Sequence, residues 1–412
     1  MRESLLILGA SVRAAAQSAA RAGLRPYCGD LFCDADLPNT AVGQVARSFP
    51  GDLVAIAEQA PPGPWMYTGG LENYPRLVAR VSRRHELLGT GPEALRQVRN
   101  PFELERVLSA AGLLFPECRS ADERIAMHGG WLLKHRRSSG GLRVLPANAP
   151  SEVRGRGWYY QQRVDGLAMG AVYVASCGAG VPPARNKQAG RLHHKVPQGQ
   201  AIVLGVTEQL LTGSGNRPFR YAGSVGPVEL SPSQRQTVNE IGRVLAANFA
   251  LRGLFGADLI FDGDRIWTIE VNPRYTASVE ILERAFRFSA VALHLAACRG
   301  PPLGPIESRA SRQYGKSVLY ADRPWIMTAE RVQALKEINR AGIWPTLADI
   351  PHAGTQVKIG QPVLTVFAEG NDRASVQAQL CAQTKRIGLC ETLRAWPKTQ
   401  NKMCCTDGDA VP

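Results

Sequence analysis

The 412-residue chain has no apolar run long enough to cross a bilayer. Its apolar stretch at 5–10 is followed by Arg13 rather than a cleavage site, which predicts a first strand and not a signal peptide. Nine cysteines are present, but none has the spacing of a metal site. Cys404 and Cys405 stand side by side in a polar tail and the others are dispersed, as in a reduced cytoplasmic protein. The full Gly-x-Gly-x-x-Gly pattern is missing after the first strand, so no dinucleotide fingerprint is present. Ser-His-Asp and Cys-His constellations are missing too, and with them the usual covalent nucleophile. Lys and Arg outnumber Asp and Glu by 49 to 35, a formal charge of +14. The arginines are nevertheless scattered, with no basic helix and no aromatic-rich RNA-binding signature. Neither nucleic acid nor a membrane is expected as a partner; the excess charge suits a site for anionic small molecules.

What the chain does have is concentrated at 251–280, LRGLFGADLIFDGDRIWTIEVNPRYTASVE. Two apolar runs joined by Asp262-Gly263-Asp264 predict an antiparallel hairpin. Side chains alternate along a strand, so Asp258 and Glu270 point into one site, with Asn272 one repeat beyond Glu270 on the same face. Acids embedded in apolar sequence need partners. Three hard oxygen donors of this kind suit magnesium or manganese, which take a few protein oxygens together with phosphate. Pro273 stops the strand, and Arg274 follows it, placed to meet an anion. Asp262 and Asp264 read as solvated turn residues.

At these residues the chain resembles the ATP-grasp superfamily, the ligase and carboxylase fold of biotin carboxylase and D-alanine–D-alanine ligase. An acid on one strand followed by Glu-x-Asn-x-Arg on the next is that family's magnesium and phosphate motif, matched here by Asp258, Glu270, Asn272 and Arg274. The wording FRYAGSVGPVEL (219–230) and EVNPRYTASVE looks most like a branch described as biotin-carboxylase-related carboligases. The resemblance extends over roughly 90–300. It implies an α/β fold: an ATP-grasp domain, a Rossmann-like domain before it, and a small β-rich region after it.

Taken in order, residues 1–90 open with strand, Ala-rich helix and strand, a βαβ start. Gly9, Ser11 and Arg13 lie at the first helix N-terminus, where substrate is one reading. WMYTGGLENYP (65–75) is a second crossing point, offering Tyr67, Gly69, Gly70 and Glu72. The ATP-grasp domain is expected over 91–300, with a lid at about 115–175. Before the helix predicted in 99–117, Arg99 stands where the family places a phosphate-binding lysine. In GGWLLKHRRSSGGLRV (129–144), Lys134 matches the lysine that reaches the ATP phosphates, and Ser139, Gly140 and Gly141 fall in the phosphate-covering loop. GWYYQQRVDG (157–166) matches the hinge around adenine, with Gln161, Gln162, Arg163 and Val164. Residues 178–200 read as a mobile basic excursion containing His193 and His194. Tyr221, Gly223 and Ser224 are candidate acceptor contacts, and 231–253 reads as a capped amphipathic helix. Residues 301–394 read as β-rich and 395–412 as a disordered tail.

The resemblance implies phosphoryl transfer from ATP to a carboxylate, with magnesium on Asp258, Glu270 and Asn272 and with Lys134 and Arg274 neutralising the moving charge. The acyl phosphate then meets an amine, giving an amide, ADP and phosphate. The carboxylate and the amine are expected to be small molecules, in cofactor or metabolite synthesis. A biotin-carboxylase-like carboxylation with bicarbonate is the alternative. It expects a glutamate four residues after the arginine, where this chain has Ser278, with Glu280 two residues on. A non-catalytic ATP-binding module is the second alternative. Assembly leaves no mark on the sequence, and a homodimer stays open.

Overall fold

The computed structural model describes residues 3–123, 125, 130–148, 156–176, 200–214, 217–300, 310, 312–339 and 344–387. The basic excursion at 178–199, His193, His194 and the tail from 395 lie outside them. Among the described residues the strands form four sheets.

The first 90 residues alternate strand and helix: β1 (Ser4–Leu8), α1 (Arg13–Arg21), β2 (Arg25–Asp30), β3 (Val42–Val45), α2 (Asp52–Gln59), β4 (Pro64–Tyr67), α3 (Pro75–Val81) and β5 (Glu86–Leu87). The order β3-β2-β1-β4-β5 is parallel throughout, with the chain switching direction beside β1. Parallel strands are covered on both faces, and Leu5 to Leu8 are accordingly buried. Ala15, Ala16 and Ala19 let α1 lie close against the sheet. The crevice beyond the strands' carboxyl ends, between Gly9 and Gly69, is where such sheets hold ligands.

Helices α4 (Pro92–Val98) and α5 (Pro101–Ala110) lead out of this domain, each opened by a proline whose missing N–H costs nothing there. A small antiparallel sheet follows, β6 (Cys118–Ser120), β7 (Trp131–His135), β8 (Val144–Pro146) and β9 (Trp158–Gln162), in the order β6-β9-β7-β8. Its own core is little more than Leu133, Ala147 and Tyr160.

The centre of the molecule is one large antiparallel sheet. It contains β10 (Leu167–Ser176), β11 (Gln200–Ser214), β12 (Arg217–Gly226), then, after helix α6 (Pro232–Phe249), β13 (Gly253–Asp262) and β14 (Arg265–Asn272). Helices α7 (Val279–Phe286) and α8 (Ala290–Arg299) come next, then β15 (Gln313–Tyr320), β16 (Trp325–Ile326), α9 (Ala329–Ile338), β17 (Leu347–Ala348), β18 (Gln356–Val357), β19 (Pro362–Gly370) and α10 (Arg373–Arg386). The order β14-β13-β10-β11-β12-β15-β19-β17 carries the sheet without interruption from the hairpin into the last part of the chain. Helix α6 packs on it through Val238, Ile241, Leu245 and Phe249, a stripe at helical spacing, and Gly242 leaves room for the Tyr173 ring.

Candidate active site

The hairpin sets the geometry. Asp258 lies directly opposite Glu270, and Gly256 opposite Asn272. A bulge between Asp258 and Leu259 leaves Ile269 as the extra residue, so Leu259 pairs with Thr268. Both acids and Asn272 therefore share a face, while Leu259 and Ile266 turn to the core. Gln209 on β11 donates to Asp258 Oδ1 at 2.7 Å, and Asn272 Nδ2 donates to Asp258 Oδ2 at 3.0 Å. Arg99 forms an ion pair with Glu270.

Two carboxylates facing each other across a hairpin in a largely dehydrated site cannot ionise independently. Burial, then the charge of Glu270, pushes the Asp258 carboxyl up to about 6. Glu270 is partly buried, which would raise it, but Arg99, Lys134 and Arg274 outweigh that and hold it below its ordinary value. Burial brings the Lys134 ammonium down against the pull of Glu270. A second positive charge beside Asp258 would relieve the pair. Among the described residues no three or more His, Cys, Asp or Glu side chains are placed to hold a metal. A cation here would thus rest on two carboxylates, the Asn272 amide oxygen and oxygens of a ligand, which is the habit of magnesium.

The other predicted residues surround the same space. Lys134, on β7 and 3% exposed, donates from Nζ to Gln161 Oε1 at 2.8 Å. Gln161 in turn donates to the Ile269 carbonyl at 3.3 Å, tying the small sheet to the bulge. The Gln162 and Arg163 amides bond the Glu117 and Gly130 carbonyls. Gly140 and Gly141 both have positive φ, and a Cβ on Gly141 would collide with the Phe219 carbonyl. Arg274 donates to Glu72 at 2.9 Å and to Asn272 Oδ1 at 3.2 Å, so the arginine of the hairpin is aimed by an acid of the N-terminal domain. A cleft of about 650 Å³ is lined by Lys134, Ser139, Gly140, Gly141, Gln161, Gln162, Arg163, Val164, Asp258, Glu270, Asn272 and Arg274. Arg99 stands behind this wall. Besides Glu270 it donates to the Ser138 carbonyl at 3.0 Å, to Asn73 at 3.2 Å and to the Val271 carbonyl at 3.2 Å.

Some sequence readings change. Arg13 does not stand free at the first helix N-terminus: it is 2% exposed and paired with Glu280 and Asp349. Just before that helix, Asp30 accepts from the Val12 amide at 2.9 Å. Tyr67 donates to the Thr90 carbonyl and points into the domain core. Ser278 stands before α7 but makes no side-chain cap; its hydroxyl lies 3.4 Å from that of Ser224. Gln209 and Lys316 were missed, and only their polarity within apolar strands could have marked them; Glu72, a candidate from its turn, is here the residue that aims Arg274.

A family model described as an ATP-grasp domain matches residues 98–278. The match spans less than half of the chain, and over that stretch the chain is similar to ATP-grasp domains. A formate-dependent phosphoribosylglycinamide formyltransferase of Dechloromonas aromatica is 30% identical over 176 residues, 40% of either chain. The same-named protein of Pyrococcus horikoshii is 33% identical over 85 residues, 20% of either. The matches thus span two fifths or less of these curated relatives. Among solved structures, an L-amino acid ligase from Bacillus licheniformis superposes with a TM-score of 0.66 at 13% identity, covering 93% of this chain and 97% of that one. An N5-carboxyaminoimidazole synthase from Aspergillus clavatus, solved with ADP and an aminoimidazole ribonucleotide, gives 0.65 at 13%, covering 94% and 99%. At such identities these likenesses show the fold alone.

Proposed function

We propose that the protein is an ATP-dependent ligase that joins a carboxylate to an amine through an acyl phosphate. The observation that carries this is the Asp258–Glu270 pair, set face to face by the bulge, with Lys134 and Arg274 lining the same cleft. ATP would lie with adenine along 161–164 and its phosphates beside Lys134 and the glycine-bearing loop. Asp258, Glu270 and Asn272 would hold magnesium or manganese, which supplies neutralisation of phosphate charge. A substrate carboxylate oxygen attacks the γ-phosphorus, the bond to the ADP oxygen breaks, and an acyl phosphate results. Arg274, fixed by Glu72, offers its remaining N–H groups to the oxygens where charge builds up. The amine then adds to the acyl carbon, phosphate departs with the bonding electrons, and the amine gives up a proton. The curated relatives support this reading by name, since formate is a carboxylate and a formyl group on nitrogen is an amide. The small-molecule substrates, the ATP and the metal rest on this proposal.

Carboxylation with bicarbonate fits less well because the site lacks its base. Position 278 is a serine, and Glu280 is bound by Arg13 and Lys316, whose charges hold it well below the usual carboxylate range despite its burial.

ADP and phosphate release from magnesium ATP, across carboxylates, amines and bicarbonate, tests the proposal beside Glu270→Ala. Release requiring a carboxylate with an amine, and lost in the variant, is expected. Release with bicarbonate alone, or turnover that survives the substitution, overturns it.

A further inference from the structure

The cleft extends from Arg274 to a wall built by the loop after β2, the segment between β17 and β19, and strands β15 and β19. Phe32, Asp34, Asp349, Thr365 and Lys316 line it there. Acids outnumber cations at this end. Asp30, Asp34, Asp36, Asp349 and Glu280 gather around Arg13 and Lys316, with Arg284 on the far side of Glu280.

Most of these acids are satisfied. Asp30 accepts from the amides of Val12, Phe32 and Cys33. Asp36 accepts from those of Asp349 and Ile350. Asp349 accepts from Arg13 at 2.9 Å and from the Thr365 hydroxyl at 2.5 Å. Both Glu280 oxygens meet cations. Asp34 differs. It is 4% exposed, it lines the cleft, and its Oδ2 has no hydrogen-bond partner among the described residues. A buried carboxylate with no donor is costly, and natural interiors rarely leave one so. Beside it Phe32 keeps 41% of its surface open at the same wall. An acid lacking a donor next to an open aromatic ring suits a group that is cationic, donates hydrogen bonds and can lie against a π-face.

We infer that Asp34, with Asp349 and Phe32, binds a protonated amino group of the substrate that takes no part in the reaction. The substrate class is then a diamine or an amino acid, bearing one nitrogen or carboxylate for the chemistry and a second, charged nitrogen for recognition. This rests on the ligase reading for its meaning but not for its test. The neutral form that burial and the neighbouring aspartates favour in Asp34 gives way to the ion once the cation arrives.

Calorimetry on the full chain with 1,4-diaminobutane, with butane-1,4-diol as the uncharged control, measures the subsite directly. The diamine is expected to bind and the diol not, and Asp34→Asn is expected to weaken the diamine by about tenfold or more. Asp349→Asn, run in parallel, should weaken it as well. The diamine should raise the wild-type Tm and leave that of Asp34→Asn unmoved. Equal diamine affinity in wild type and both variants, equal binding of the diol, or no binding of the diamine overturns the inference. Affinity for magnesium ATP, measured on the same samples, is expected to be unchanged in Asp34→Asn. Failure of the wild type to bind ATP would instead count against the ligase reading alone.

Discussion

At the scale of single residues, the site depends on charges kept out of water and balanced against one another. The raised Asp258 carboxyl has a stability consequence whose sign is definite. Its folded value of about 6 lies above its ordinary one, so the folded protein holds the proton more tightly. Ionising it between roughly pH 4 and pH 6 therefore costs stability. Without divalent cations, the stability of wild type relative to Asp258→Asn should fall by on the order of 1–3 kcal/mol across that window. Urea titrations at several pH values check this, and added magnesium should recover part of the loss. Glu280 has the opposite sign. Its value is depressed by Arg13 and Lys316, so its contribution is present above its ordinary value near 4.5 and disappears as pH falls through the folded one. Glu280→Gln should destabilise by about 3–5 kcal/mol near neutrality, because it leaves two buried cations short of a partner, and the deficit should shrink on acidification.

At the scale of elements, local chemistry and long-range contact separate cleanly. Helix α6 starts with Ser231, whose hydroxyl accepts from the Gln234 amide while the Gln234 side chain accepts from the Ser231 amide. Ser231→Ala should cost about 1 kcal/mol in urea unfolding and leave turnover intact, since the cap lies outside the cleft lining. The loop at 138–141 behaves differently. Gly141 needs φ +76 and has no room for a Cβ against β12. Gly141→Ala should lift the loop from β12 and raise the KM for ATP several-fold with a smaller effect on the unfolding midpoint. Steady-state kinetics beside a melting curve distinguishes the two effects. Arg99 illustrates the limit of reading one element alone: from its position it is a phosphate ligand, whereas in three dimensions it fastens Glu270, the 138 carbonyl and Asn73 together.

At the scale of the whole molecule, the last part of the chain is continuous with the site. Strand β15 pairs with β12, and β19 pairs with β15, so the large sheet reaches from Glu270 to α10 in one hydrogen-bonded ladder. The ion cluster of Arg13, Glu280, Lys316 and Asp349 draws one residue or more from each region. Ending the chain at residue 300 should bare the β12 edge and strip Lys316 from Glu280; size-exclusion chromatography should then show aggregate rather than a monodisperse species. No helix among the described residues is long and apolar enough to cross a membrane.

The sequence by itself determined the hairpin, its polarity and the resemblance to ATP-grasp domains. Alternation, the Asp-Gly turn and the Glu-x-Asn-x-Arg spacing are local, and local spacing decides which side chains share a strand face. It also marked Lys134 and 161–164, because each sits at a strand or turn whose pattern survives in the linear text. Only the tertiary structure decided what those charges face. Gln209 reaches Asp258 from a strand 49 positions away, Glu72 aims Arg274 across 202 positions, and Arg13 finds Glu280 across 267. No periodicity encodes such pairs. They follow from which strands become neighbours and which helix packs where, and burial then turns ordinary polar residues into partners that must be matched.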